Sequence, residues 1–270
     1  MELGQDELAA FQTKIMDWWE ENARDLPWRR DPSPYNILVS EVMLQQTQVS
    51  RVVPKYEEFL KIFPTVESLA AAETKQLLQV WSGLGYNRRA LWLKEAAKQI
   101  IEMGEFPKTV QELRALKGIG PYTSRSILIF AFNSDLAAVD TNIRRVLIAS
   151  GFADESMLGR ELQDVADRVL LKGRSRDWHN ALMDYGSTVL TSSATGISPT
   201  SKQPCYDGSS RQIRGEVIRI LTQSDGVSIG DLRSKLNCEI EPLDLERIVN
   251  GLVSDGLVEK TRSGDFHIPA

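Results

Sequence analysis

A chain of 270 residues with a formal net charge of −5 is long enough to bury a sizeable core and too acidic to coat nucleic acid through bulk charge. Cys205 and Cys238 are its only cysteines and form no CxxC pair, which excludes a disulfide framework and a thiolate-rich zinc or iron-sulfur centre. No apolar run approaches the roughly 18 residues of a membrane span, and MELGQDELAAFQTK lacks the basic-then-apolar order of a signal peptide, so the chain is expected to be intracellular, in the cytoplasm or nucleoid if its source is prokaryotic.

Apolar residues at three- and four-residue spacing predict helices over 7–20, 36–49, 52–62, 74–81, 88–103, 109–115, 121–132, 140–150 and 158–170. Pro34, Pro54, Pro64 and Pro107 are expected between these runs, and Gly83, Gly85, Gly104 and Gly118 where helices stop. Residues 26–190 are therefore expected to form an all-α body. DNA binding by so acidic a chain must be local, and the basic pairs Arg29-Arg30, Arg88-Arg89 and Arg144-Arg145, with Lys172, Arg174 and Arg176, are either such contacts or a solvated face.

Three positions in this body invite chemistry. Glu41 sits in YNILVSEVMLQQTQV among apolar neighbours, where desolvation would raise its pKa and let it act as a general acid, or where it simply pairs within a helix interface. In LKGIGPYTSRSIL (116–128), Gly118 and Gly120 permit a tight hairpin before a helix opened by Pro121, so backbone amides could take a DNA phosphate without lysine, or the segment is an ordinary helix-helix turn. Asp140, in AAVDTNIRRV, reads equally as a helix N-cap and as a carboxylate facing developing positive charge on a sugar.

From Ser187 the composition turns to Ser, Thr, Gly and Pro, which predicts an irregular connector. Amphipathic helices follow over 210–223, 228–236 and 242–255, then strand, turn and strand in GLVEKTRSGDFHIPA. That order resembles a winged helix, which serves DNA binding and protein contact alike.

The stretches LPWRRDPSPY (26–35), SEVMLQQTQV (40–49), VWSGLGYNRRA (80–90), LKGIGPYTSRSIL, AVDTNIRRV (138–146) and HNALMDYGS (179–187) together resemble the helix-hairpin-helix (HhH-GPD) DNA glycosylases, in particular their MutY-like adenine branch. The resemblance implies a mainly α, two-lobed glycosylase domain over 1–190, with a six-helix lobe at about 26–146 and a second lobe from 1–25 and 147–190. A connector over 191–209 and a small winged-helix-like α/β unit over 210–270 would complete it. It also implies a monomer that binds double-stranded DNA bearing a mispaired or damaged base, and flips the target nucleotide into the cleft between the lobes.

By resemblance Glu41 is the acid that protonates the leaving purine at N7. Asp140 is similar to the carboxylate that stabilises the oxocarbenium ion and, in a retaining route, bonds transiently to the sugar. Tyr122 stands where bifunctional relatives carry a Schiff-base lysine, which implies a monofunctional enzyme, and Asn142 resembles the amide that positions the catalytic water or carboxylate. Leu26, Trp28, Arg29, Leu44, Asn180 and Met183 match the base pocket. Gln46 and Tyr86 match side chains that wedge the stack around the opposite base, and Arg89, Gly118, Gly120 and Thr123 join them as DNA contacts.

The pattern breaks in three places. The relatives' four cluster cysteines are replaced by TVLTSSATGISPTSKQPCY, so no iron-sulfur cluster is expected, and the one ion the resemblance leaves room for is a monovalent cation on the hairpin carbonyls. Asn180 stands where adenine-specific relatives carry Gln or Glu, one methylene longer. The winged-helix-like unit occupies the place of the β-rich domain with which MutY reads 8-oxoguanine. The function expected is removal of adenine mispaired with 8-oxoguanine or guanine; the same helical body and Tyr122 permit a mismatch thymine or uracil glycosylase, while a catalytically silent DNA-binding protein would have no use for both carboxylates.

Overall fold

The computed structural model describes residues 4–200, 206, 208–224 and 226–270; Cys205 lies outside the described residues. The chain runs through α1 (Gln5–Asn22), α2 (Pro27–Arg30), α3 (Pro34–Leu44), α4 (Val49–Ile62), α5 (Val66–Ala70), α6 (Thr74–Trp81), α7 (Arg88–Met103), α8 (Val110–Ala115), α9 (Pro121–Phe132), α10 (Thr141–Ala149), α11 (Gly159–Arg168), α12 (Ser175–Thr188) and α13 (Ser192–Thr195). It continues through α14 (Ser210–Gln223), α15 (Ile229–Lys235) and α16 (Pro242–Ser254) to β1 (Glu259–Lys260) and β2 (Phe266–His267). The expected mainly α fold is what forms.

The helices gather into two compact units that do not follow sequence order. One comprises Met1–Glu41, Lys108–Ala115 and Ile119–Lys202; the other comprises Val42–Pro107, Leu116–Gly118 and Gln203–Ala270. The first has one apolar core, in which Phe11 and Ile15 of α1 meet Ile143, Val146 and Leu147 of α10 and Trp178, Ala181 and Leu182 of α12. Each set repeats every three or four residues, so one stripe of each helix leaves water, and the Phe11 ring meets Trp178 edge-on at 5.5 Å. This shared core explains why 137–146, expected in the lobe with 42–107, packs with α1, α11 and α12, while α2 is tied to α12 through Arg29 and Asp184.

In the second unit Val52, Tyr56 and Phe59 of α4, Leu77 and Trp81 of α6, and Leu93, Ala96 and Ile100 of α7 are buried. Pro54, expected between helices, lies inside α4. Its ring removes one backbone donor, but the buried ridge at 52, 56 and 59 spans it, and burial outweighs the local penalty.

Residues 210–270 group with this unit rather than standing apart: α14 lies on α6, and Gln79 donates its amide to the Thr222 carbonyl at 2.7 Å. β1 and β2 pair antiparallel, with Glu259 opposite His267 and Lys260 opposite Phe266, and Phe266 also bridges Val227. The connector, expected to be irregular, holds the single-turn α13, because Thr191 caps it through the Ala194 amide. Among the described residues no helix is long and apolar enough to cross a membrane.

Candidate active site

The AAVD run ends at Asp140, the N-cap of α10, whose own backbone is extended. One carboxylate oxygen accepts the Ile143 amide at 2.7 Å and the other accepts the Asn142 side-chain amide at 2.9 Å. The capping and chemical readings of Asp140 are thus one arrangement, since capping fixes the carboxylate that chemistry would use. Behind it Arg145 donates to Asn142 Oδ1 at 2.7 Å, to the Gly186 carbonyl at 2.6 Å and to the Leu190 carbonyl at 2.5 Å. Burial raises the Asp140 pKa, opposed by the Ile143 and Asn142 donors and the Arg145 charge.

Gly186 lets α12 approach this group. A Cβ there would stand 2.8 Å from the Asn142 carbonyl oxygen and 2.9 Å from its Cβ. His179, two turns earlier on the same face of α12, accepts the Ala138 amide at Nε2 (3.1 Å) and donates from Nδ1 to the Ser175 carbonyl (2.6 Å). Burial holds its pKa down to about 4, so a neutral imidazole fixes the strand that delivers Asp140.

Glu41 is set differently. It follows Ile37, Leu38 and Val39 on α3 and precedes Val42 and Met43, all buried, and it accepts a hydrogen bond from the Ser126 hydroxyl at 2.5 Å. Burial pushes its carboxyl up to about 7; the Ser126 hydrogen bond lowers it and the Asp140 charge raises it. Ser126 Oγ also lies 3.1 Å from the Thr123 carbonyl. With one proton it donates to Glu41 when the acid is ionised, and to Thr123 when Glu41 itself donates, so both protonation states find a partner. Tyr122 feels the charges of Glu41 and Asp140, which with burial keep its phenol neutral.

Sequence reasoning passed over Ser126 and Asp184, although both lie in the quoted motifs, and read Arg145 only as half of a basic pair. Asp184 is fully buried and accepts the Trp19 indole N–H at 3.1 Å, the Arg24 backbone amide at 3.0 Å and side chain at 2.5 Å, and both terminal nitrogens of Arg29 at 2.7 and 2.9 Å. A charged residue inside an otherwise apolar helical stripe is the signal that could have found it.

Arg29, matched to the base pocket, spends both terminal nitrogens on Asp184 and so ties α2 to α12. Leu26, Trp28 and Asn180 are buried, and Met183 is half-buried one turn from Asn180 on the same helix. Leu44 is half-buried and belongs to the other unit.

In that other unit Gln46 and Tyr86 are exposed and hold left-handed backbones, with φ of 56° and 47°. Arg89, expected to touch DNA, is buried. One terminal nitrogen donates to the carbonyls of Val42, Met43 and Gln45 (2.6–3.0 Å), and the other to Leu84, Gly85 and the Thr47 hydroxyl (3.0–3.2 Å). It staples the Gln46 loop to the Tyr86 loop, and a guanidinium with five donors is the group able to do so.

Thr123, also expected at the DNA, has a buried side chain, because it turns inward on the first turn of α9. Of the hairpin glycines only Gly118 is left-handed (φ 79°), and a Cβ there would lie 2.9 Å from that of Trp92; Gly120 is extended, and a Cβ would meet nothing within 4 Å. Arg144 and Arg145 are likewise buried structural groups.

A family model described as HhH-GPD superfamily base excision DNA repair protein matches residues 39–168. The adenine DNA glycosylase of Mycolicibacterium smegmatis is 36% identical over 280 residues, covering 94% of this chain and 94% of the relative. That of Mycobacterium tuberculosis is 32% identical over 285 residues, covering 95% and 93%. The human adenine DNA glycosylase is 36% identical over 200 residues, covering 68% of this chain and 37% of the human protein.

Among solved structures, a thermostable thymine-DNA glycosylase aligns with a TM-score of 0.63 at 26% identity, covering 69% of this chain and 88% of that one. A trapped endonuclease III–DNA covalent intermediate aligns with a TM-score of 0.63 at 20% identity, covering 73% and 91%, a likeness of fold alone. By fold, by the matched region and by relatives alike along nearly their whole length, the chain belongs to the HhH-GPD superfamily of base excision DNA repair proteins, within its adenine DNA glycosylase family.

Proposed function

We infer that the protein is a base-excision-repair DNA glycosylase that removes adenine from double-stranded DNA, acting on adenine mispaired with 8-oxoguanine or guanine. The observation that carries this reading is the pairing of Glu41, held near pH 7 by its apolar surroundings, with Asp140, whose carboxylate is fixed by two donors. Glu41 donates its proton to N7 of the adenine, which makes the base a leaving group. The bond from N9 to C1′ then breaks, its electron pair goes to the base, and the ionised Asp140 faces the positive charge left on the sugar. Water attack at C1′ completes the hydrolysis. Tyr122 supplies no amine, so the enzyme is read as monofunctional.

The relatives' cluster is not part of this reading. Two cysteines in the whole sequence cannot supply four thiolates. Protein contacts serve the region instead: Arg145 takes the Leu190 carbonyl, Ser192 donates to the Ile197 carbonyl at 2.9 Å, and the Ile197 side chain is buried. Stoichiometric iron with a broad absorbance near 400 nm in the purified protein would overturn this part. Residues 210–270 are read as a winged helix, with the Val227–Phe266 bridge as its first strand pairing.

The deciding assay is single-turnover base release, developed with hot alkali, on duplexes bearing A facing 8-oxoguanine, A facing G, T facing G and U facing G. Cleavage confined to the adenine duplexes supports the proposal. Release of T or U instead would leave Asp140 in place and remove the N7-acid role from Glu41.

A further inference from the structure

Residues 134–139, which join α9 to α10, belong to no helix or strand, so their backbone polar groups need partners from elsewhere. We propose that His179 is a positioning residue for base release: through the Ala137–Ala138 peptide it sets where the Asp140 carboxylate stands at the start of α10. The proposal rests on the glycosylase reading above.

Three helices hold that peptide by both its ends. Its carbonyl accepts Arg125 of α9 at 3.1 Å and Gln163 of α11 at 2.9 Å, and its N–H goes to His179 Nε2 of α12 at 3.1 Å. Upstream, Asp135 accepts the Gly173 amide and the Ser175 hydroxyl, each at 2.7 Å. The N-terminal half of α12, with Gly173 just before it, therefore anchors the run at two points, and the second lies two residues before Asp140.

Histidine suits the place because its two nitrogens differ. The Ser175 carbonyl, 2.6 Å away, can only accept, so Nδ1 carries the hydrogen; Nε2 is left with a lone pair for an amide that can only donate. Burial, which holds the ring neutral, preserves that tautomer, and the Phe130 ring meets the imidazole edge-on at 6.4 Å.

Two turns along the same helix, Gly186 packs against Asn142. Helix α12 thus grips the chain on both sides of Asp140, and a carboxylate held from both sides has little room to drift from the sugar it must face. A misplacement of about 1 Å can cost about 100-fold in rate.

A pair of amide variants of the full chain tests this. Gln carries its oxygen as many bonds from Cβ as His carries Nε2, so His179→Gln can still accept the Ala138 N–H. Asn carries its amide no farther than Nδ1, so His179→Asn keeps the Ser175 partner and loses Ala138. Gln163→Leu, at a half-buried position, loosens the carbonyl end, which keeps Arg125.

The readouts are single-turnover adenine release at saturating enzyme, affinity for a duplex with a tetrahydrofuran abasic analogue in place of the adenine, and hydrogen exchange of the Ala138 amide. His179→Asn should slow release by more than about tenfold, with affinity within about twofold of wild type and Ala138 protection lost. His179→Gln should stay within about threefold in rate with protection kept, and Gln163→Leu should slow release about threefold at unchanged affinity. Normal release from His179→Asn, equal losses in His179→Asn and His179→Gln, or a loss confined to affinity would overturn the proposal. If His179→Asn does not fold, normal release from Gln163→Leu overturns it. Absence of adenine release by the wild type would defeat the glycosylase reading instead, while Ala138 protection in the His179 variants would still decide whether His179 holds the run.

Discussion

Asp140 and Glu41 carry the same functional group in contrasting surroundings. At the start of α10, Asp140 receives a backbone amide and a side-chain amide, with Arg145 behind the second. On α3, Glu41 has the Ser126 hydroxyl amid buried aliphatic neighbours. Donors and a nearby cation favour an ionised carboxylate; an apolar shell favours a protonated one. Burial raises both carboxyls; at Asp140 two amide donors and the Arg145 charge oppose the rise, whereas at Glu41 the Ser126 hydroxyl opposes it and the Asp140 charge adds to it, which sets the two groups up for different roles.

The strongest break of this contrast is Glu41→Gln, which should lower adenine release by up to about 10⁴-fold in single-turnover assays. The same substitution should stabilise the fold at pH 8. Glu41 titrates near 7 in the folded chain against an ordinary 4.5, so the stability it favours is full below about 4.5 and lost as pH rises through about 7. Gln, which cannot ionise, should recover roughly 2–3 kcal/mol at pH 8 in denaturant unfolding. A variant no more stable than wild type there would mean that Glu41 is not desolvated as described.

Asp140→Asn should lower release by roughly 10³-fold, yet cost under about 1 kcal/mol of stability, because Asn also caps helices. A large stability loss with modest loss of rate would show that the cap, and not the charge, is the use of this residue.

Gly186→Ala tests the support behind Asp140. The new methyl would meet Asn142 backbone at 2.8 Å, so a loss of about 1–3 kcal/mol in thermal unfolding is expected. Displacement of Asn142 should add a fall in rate of more than about tenfold; a variant of normal rate would separate Asn142 from catalysis.

The mildest change is Ser126→Ala. The Ser126 hydrogen bond lowers the Glu41 pKa, so its removal should move the basic limb of the rate profile, near pH 7 in the wild type, to higher pH. The rate at pH 7 should change only a few-fold. A downward or absent shift would exclude Ser126 as the group that sets the acid.

Much of this arrangement was legible in the chain because it is local. Helical periodicity placed most of the helices, and the apolar neighbours of Glu41 announced its desolvation. The step from AAVD to TNIRRV announced a cap, since a cap is made within three residues. Arg89 and Arg29 could not be read that way: an arginine in an RR pair looks the same whether it faces DNA or closes on carbonyls 44–47 residues away. Pro54 was misread for a related reason, because local propensity said break while the buried ridge across it said continue.

What the sequence alone determined is the helical class, the family motifs, and the two carboxyls with the local features that tune them, all consequences of spacing and near-neighbour chemistry. Tertiary structure alone decided which cations became staples, which glycine admits α12 to Asn142, and that Arg211 meets Tyr86 across 125 positions of sequence. These contacts depend on which helical faces share a core. That choice is made by the summed burial of many side chains, and no single motif encodes it.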